Sequence, residues 1–359
     1  MSSIQHLEVA RLRNLTEVRL KPSDSINILF GVNGSGKTSL LEAVHLLGLG
    51  RSFRSSKLDP IIQDSAEDSI VFGKLSSGVD LGLLKSRRGG HTLKLRGEKQ
   101  RNWAEAARHL PILVINSDTF SLLEGSPKVR RRFMDWGVFH VEHSFIGNWR
   151  RLSKCIAQRN LLLKHRSPDI SQIKAWDREL IPLAELVDQA RASFFEAFLP
   201  IFHEVLSSLI DLPDLSVRYY RGWPKDEALS DALSASLNRD IKYGATQVGP
   251  HRSDIVVRVG SLGAADVLSR GQQKLLVCAL KISQGLLLER ELAMKSVYLV
   301  DDLPSELDDK NRSKVCALLD RLDSQVFLSC VDPEDVEKYW SKNRLPRKFH
   351  VEHGKITQV

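Results

Sequence analysis

The spacing of hydrophobic and polar positions changes period several times along the 359 residues. Ile4 to Val9 alternates, Thr16 to Leu20 follows, and Ile26-Asn27-Ile28-Leu29-Phe30 is a short apolar run, so the first thirty residues read as strands. An apolar helix is predicted from Ser39 to Leu49, stopped by Gly48 and Gly50. Ser69 to Leu95 alternates again and is punctuated by Ser77-Gly78 and Gly89-Gly90, which predicts an antiparallel meander. A short helix, Trp103 to Leu110, and a buried strand, Ile112 to Ile115, close this stretch.

The pattern then turns helical, from about Lys128 to His165 and from Ile170 to Leu209, with a break at Ser167-Pro168. No heptads are sustained, so a long coiled coil is not expected. Strand patterns return at Leu215 to Arg221 and Asp254 to Val259. An apolar helix follows from Gly271 to Leu288, then a strand Val297 to Val300 and a helix Asn311 to Leu322. A strand Gln325 to Ser329 and a terminal strand near Phe349 to Val359 complete the chain. The expected architecture is an α/β head interrupted by a helical arm. Residues 1–120 and 211–359 make the head, and residues 121–210 the arm.

Composition narrows the function classes. The hydrophobic share of 42% and charged share of 27% are ordinary for a globular protein. No apolar run approaches the roughly 18 residues of a membrane span, and Met1 to His6 lacks a secretory layout. A cytoplasmic protein without a membrane partner is expected. Cys155, Cys278, Cys316 and Cys330 are scattered and read as small buried hydrophobes. The net charge of +8 suits a polyanionic partner such as DNA without establishing one.

The candidate chemistry is concentrated in three segments. Gly31-Val32-Asn33-Gly34-Ser35-Gly36-Lys37-Thr38 is a phosphate-binding loop between an apolar strand and an apolar helix. Its glycines let backbone N–H groups face a phosphate, and the helix aims its positive end there. Lys37 would reach the β- and γ-phosphate oxygens of ATP, and the Thr38 hydroxyl would bind Mg²⁺. Asp301 ends the strand Val297 to Val300 as a second Mg²⁺ ligand, and Asp302 is the candidate for orienting water. Lys37, Asp301 and Asp302 form the candidate catalytic set. Leu268-Ser269-Arg270-Gly271-Gln272-Gln273 resembles the signature of ABC-type ATPases and opens a helix. The Ser269 hydroxyl, the Gly271 N–H and the helix dipole make an anion site. In that superfamily the signature completes the ATP site of a second subunit, which implies an ATP-dependent homodimer.

Together these segments resemble the RecF family of SMC-like ABC-type ATPases. The resemblance is also carried by Leu12-Arg13-Asn14, Arg51-Ser52-Phe53-Arg54, Gly125-Ser126-Pro127, Gly249-Pro250-His251-Arg252 and Ser305-Glu306-Leu307-Asp308. It implies an ABC/SMC-type P-loop head, with a mixed sheet and an antiparallel meander, bearing an inserted helical arm. It further implies a slow, DNA-dependent ATPase that dimerises on ATP and clamps DNA at gaps. Such a protein would act in recombinational repair, replication restart and the SOS response, helping RecO and RecR load recombinase. Arg13 would lie on the ATP phosphates and Asp308 along the dimer seam. Asp302 stands where most relatives of the ABC type carry glutamate, one methylene longer, which implies slow hydrolysis. Asn116-Ser117-Asp118-Thr119 departs from the family's Ser-Pro-Glu-Asp, leaving the Q-loop contact unassigned. Ser329-Cys330-Val331 replaces a threonine-rich switch, leaving the γ-phosphate sensor unassigned.

Two basic clusters compete as DNA contacts or solvated faces. One is Lys128, Arg130, Arg131 and Arg132, continued by Arg150, Arg151, Lys154, Arg159, Lys164 and Arg166; the other is Arg51, Arg54 and Lys57. No base-reading motif occurs, so contacts to single-stranded, duplex or junction DNA would run through phosphates, not sequence. His140-Val141-Glu142-His143 and its echo at His350 to His353 lack metal-ligand geometry, so no metal beyond Mg²⁺ is expected. Three other readings compete: a transporter ATPase subunit, a different SMC-like repair head, and a switch that binds ATP without hydrolysis.

Overall fold

The computed structural model describes residues 3–55, 57, 59–117 and 121–359. The chain divides into two units. The first comprises residues 1–119, 208–210 and 270–359, and the second residues 120–207 and 211–269.

The first unit contains two six-stranded sheets. The inner sheet runs in the order Lys355–Gln358, Arg347–Glu352, Ile26–Phe30, Val326–Cys330, Val297–Val300, Ile112–Ile115. All its pairings are parallel except that of Arg347–Glu352 with Lys355–Gln358. Its central strands are buried along their length, as expected of parallel strands covered on both faces. The second sheet is wholly antiparallel, in the order Leu15–Leu20, Ile4–Leu12, Asp68–Leu75, Asp80–Ser86, His91–Leu95, Glu98–Gln100. Its strands alternate buried and solvated residues, the pattern of a sheet with one face in the core.

The helix Lys37–Leu49 lies between the two sheets. Leu40, Leu41, Val44 and Leu47 share one core cluster with Val9, Val71 and Leu83 of the antiparallel sheet and with Leu299, Phe327 and Phe349 of the parallel one. The helix is buried on nearly every side, and even its polar Glu42 and His45 are buried. It ends at Gly50, whose backbone is left-handed (φ 67°) and whose missing Cβ leaves room for the Trp103 ring. Gly48, expected as part of the stop, lies inside the helix.

The predicted terminal strand is a hairpin. His353 (φ 47°) and Gly354 (φ 75°) turn the chain between Arg347–Glu352 and Lys355–Gln358, the positive-φ pair that a tight two-residue hairpin requires.

The second unit joins the helices Pro127–Val141, Phe145–Leu163 and Ile170–Leu209 to a three-stranded antiparallel sheet, Leu215–Tyr220, Asp254–Val259 and Leu262–Gly263. This corrects the expected boundary, because residues 211–269 belong with the arm and not with the head. Buried arginines supply the reason. Arg159 pairs with Asp177 (2.6 Å) and Asp240 (2.7 Å), and Arg191 forks onto Asp135 while donating to the Pro250 carbonyl (2.7 Å). Arg130 forks onto Asp254 (2.7 and 2.9 Å). These charges tie the helices to the segment after residue 211. The helix Leu229–Tyr243 went unassigned in the sequence because serines and Asn238 dilute it. Its buried Leu229, Leu233, Ser236 and Asp240 nevertheless fall on one helical face.

Arg159→Met tests this account. It strands the fully buried Asp240 carboxylate, and a buried pair broken on one side costs about 3–5 kcal/mol. Urea unfolding should show that loss, while exposed Arg150→Met on the same helix should stay within about 0.5 kcal/mol of the parent.

Candidate functional site

The segment Gly31 to Gly36 connects the buried strand Ile26–Phe30 to the buried helix Lys37–Leu49. At Gly31 (φ 144°) a Cβ would stand 2.3 Å from the Val351 carbonyl oxygen, so only glycine fits. The loop is clamped from outside. Asn14 donates to the Gly34 carbonyl (3.1 Å) and accepts from the Ser39 hydroxyl (2.8 Å), while Gly354 N–H donates to the Ser35 carbonyl (2.8 Å). The helix has no side-chain cap and no acidic residue in its first turn. Its N-terminal N–H groups and positive dipole end are therefore available to an anion.

Lys37 lies across this loop and donates to the carbonyls of Gly31 (2.6 Å) and Val32 (3.0 Å). Burial draws its ammonium below the ordinary lysine range, opposed by the negative charge of Asp302 and, more weakly, Asp301.

Asp301 follows the strand Val297–Val300, with its N–H on the Ile115 carbonyl (2.9 Å). One carboxylate oxygen accepts from both the Thr38 hydroxyl (3.0 Å) and the Ser329 hydroxyl (2.6 Å). Burial raises the Asp301 carboxyl above its ordinary range, and these two hydrogen bonds oppose the rise. Ser329 in turn accepts from the Asp302 N–H (2.9 Å), holding a residue in left-handed backbone (φ 53°). Three strands adjacent in the parallel sheet thus bring Thr38, Ser329 and Asp301 to one point. The hydroxyl and carboxylate oxygens of Thr38 and Asp301 are the hard donors that Mg²⁺ prefers, so the residues fit that ion.

A cavity of about 770 Å³ opens over these groups, and Asn33, Lys37, Thr38, Asp301 and Asp302 line it. Arg13 lines it while forking onto Glu42 through Nε and Nη2, both at 2.8 Å. Arg54 lines it too, within 4.0 Å of the Glu42 carboxylate. Arg54 of the expected DNA patch thus stands at this cavity, with its side chain 44% exposed. Ser329 is the site residue that the sequence reading left without a role. Its signal, a hydroxyl ending an apolar strand, gains meaning only from the strand order.

The remaining candidates lie elsewhere. Val32 is exposed on the loop. Asp308 caps the helix Asp309–Arg321 by accepting from the Asn311 N–H (2.9 Å) and side-chain amide (2.8 Å), and neither it nor Gly271 lines the cavity. Ser269 is exposed just before the helix Arg270–Leu292, and Gly271 is half-buried in its first turn. Arg51, Arg132 and Lys154 are exposed. Arg130 is not available to DNA as expected, because it is saturated by Asp254 and the Gly125 carbonyl (2.8 Å). Arg131 donates to the Ser253 carbonyl (2.8 Å), and burial pulls its charge below the ordinary arginine range. Arg159 is likewise structural. Asp118 and Thr119, part of the unassigned Q-loop stretch, lie outside the described residues.

Residues 3–357 match the family model described as the RecF/RecN/SMC N terminal domain. The chain is 49% identical to the DNA replication and repair protein RecF of Pseudomonas paraeruginosa, over 99% of this chain and 98% of that protein. It is equally similar to the RecF of Pseudomonas entomophila, 49% over the same shares. A solved structure of the recombination mediator protein RecF with ATP, in the RecFOR pathway, superposes with a TM-score of 0.88 at 25% identity, covering 100% of this chain and 98% of that one. The Smc head domain of Pyrococcus furiosus shares the fold at TM-score 0.60 and 17% identity, covering 100% of this chain and 96% of that one.

Ser329→Ala removes one hydroxyl that serves two partners. It takes the acceptor from the half-buried Asp302 N–H and one donor from Asp301, a loss of about 0.5–1.5 kcal/mol per hydrogen bond. Thermal unfolding without nucleotide measures it; a variant as stable as the parent would show that this junction does not hold the site together.

Proposed function

This chain belongs to the RecF family of DNA replication and repair proteins, and from that premise we propose that it is an ATP-gated clamp closing as a homodimer on DNA. Its fold is the SMC-type ATPase head of that family. The observation that carries the proposal is the junction of Thr38, Asp301 and Ser329 beside Lys37 at the floor of the cavity.

The division of labour follows from the chemistry. The N–H groups of the loop and first helical turn, with Lys37, hold the β- and γ-phosphates. Thr38 and Asp301 hold Mg²⁺, which when bound neutralises charge on those phosphates. Asp302 orients the attacking water. Its side chain is one methylene shorter than glutamate, so hydrolysis is slow and times the clamp. Ser269 and Gly271 of a second copy supply an anion site at a helix start to the γ-phosphate, and Asp308 lies along that seam. DNA is held through phosphates by exposed cations, of which Arg51, Arg132 and Lys154 remain candidates. Recombinational repair at gaps, replication restart, the SOS response, cooperation with RecO and RecR, and a cytoplasmic location complete the reading. The transporter alternative lacks support, since the matching family model and the relatives 49% identical to this chain are of DNA replication and repair proteins.

Asp302→Asn should keep Mg²⁺-ATP binding and lower turnover by about 100-fold or more, the range for a positioned acid–base group. The ATP-bound dimer should then outlast that of the parent. Steady-state hydrolysis and sizing by light scattering read both effects, and normal turnover would move the role to another residue, Glu306 first.

Ser269→Arg places bulk and a charge where the second copy must close. Each copy's own phosphate loop is untouched, so ATP affinity of the monomer should match the parent while ATP-dependent dimerisation disappears. Analytical ultracentrifugation with ATP, ADP and no nucleotide decides it. Dimerisation equal to the parent's would end the trans-site mechanism.

A further inference from the structure

Beyond the phosphate loop, the structure places one buried carboxylate where it touches three elements of the site. Glu42 lies one turn past Thr38 on the buried helix Lys37–Leu49 and is itself fully buried. Its Oε1 accepts from Arg13 Nη2 and from the Ser52 hydroxyl; its Oε2 accepts from Arg13 Nε. Arg54 Nη1 stands 4.0 Å from Oε2, an ion pair without a short hydrogen bond, and the Arg54 side chain is 44% exposed.

The two arginines are held differently. Arg13 presents two parallel N–H groups to Glu42, the strongest geometry a guanidinium makes with a carboxylate. Arg54 is held through its backbone. The Ser52 hydroxyl that donates to Glu42 also accepts from the N–H groups of Arg54 and Ser55, both at 2.9 Å. One carboxylate therefore sets the direction of one arginine and the loop that carries the other. Both arginines line the cavity that contains Thr38 and Asp301, and the Arg54 charge acts on the Asp301 carboxyl. In the proposed function Thr38 and Asp301 hold the Mg²⁺ that meets the β- and γ-phosphates, which sets the γ-phosphate at this end of the cavity.

We propose that Glu42 is a positioning residue of the nucleotide site, holding Arg13 and Arg54 at its γ-phosphate end and giving the site its preference for ATP over ADP. The proposal rests on the assignment of the cavity to ATP. Glu42 touches no phosphate itself. Mounted on the same rigid helix as Thr38, it keeps the two guanidinium groups in register with the Mg²⁺ ligands and pre-pays the ordering of two long side chains.

Competition titrations of the full-length protein with ATPγS and ADP test it. Glu42→Gln keeps size and one acceptor but removes the charge. It should weaken ATPγS binding by about tenfold or more, the value of a charge-assisted contact, and change ADP binding by less than about twofold. In a background carrying Arg13→Gln and Arg54→Gln, Glu42→Gln should add nothing, since groups acting as a unit are non-additive. A purely structural role would weaken both nucleotides alike or add fully to the arginine changes, and either result overturns the proposal. If Glu42→Gln does not fold, Ser52→Ala decides: it spares the Glu42–Arg13 pair and should lower the ATPγS-to-ADP preference, and an unchanged preference overturns the idea. A parent that binds no ATPγS overturns the cavity assignment itself. A parent that binds it, with a Glu42→Gln variant of undiminished preference, overturns only the role of Glu42.

Discussion

The burial of one helix on every side is the constraint on which the nucleotide site depends. Lys37–Leu49 is packed between an antiparallel and a parallel sheet, with Leu40, Leu41, Val44 and Leu47 shared by both cores. Such a helix cannot rotate or slide without opening a core packed to crystal-like density. Its N-terminus is thereby aimed in a fixed direction, and the glycine loop before it is held to a matching path by the Val351 carbonyl and Asn14. Thr38 and Glu42, one turn apart, inherit the same rigidity. Precise placement of charged groups here comes from hydrophobic packing.

Around that helix the site is wired through shared acceptors. Asp301 receives hydroxyls from a helix start and from a strand end, and Glu42 receives a guanidinium fork and a hydroxyl from two different loops. A buried carboxylate is costly unless its lone pairs are filled, so each acts as a junction that favours one arrangement of its donors. The polar groups that remain turned to the cavity are those that a phosphate and a magnesium ion would use.

The arginines show how little a charge run says without its surroundings. Arg130, Arg131 and Arg132 are consecutive, yet the first two point to Asp254 and the Ser253 carbonyl while the third is exposed. On a helix, neighbours in sequence face about 100° apart, so one triplet samples a core, an edge and solvent. The positive charge of this protein is therefore divided between cations that line the cavity, exposed cations, and the internal ion pairs that unite the second unit.

By itself the sequence determined the elements whose signal is local. Unbroken apolar runs mark the parallel strands, alternation marks the meander, and glycine spacing with Lys37 and Thr38 marks the phosphate loop, because period and backbone freedom are written in neighbouring residues. The two carboxylates Asp301 and Asp302 were legible for the same reason, at the end of an apolar strand. What depended on residues far apart was left to the tertiary structure. Ser329 acquired a role only when strand order set it between Thr38 and Asp301, and Arg54 moved to the nucleotide cavity only when Glu42 anchored its loop. The membership of residues 211–269 in the second unit was decided by ion pairs spanning up to 124 positions, a separation that no local pattern encodes.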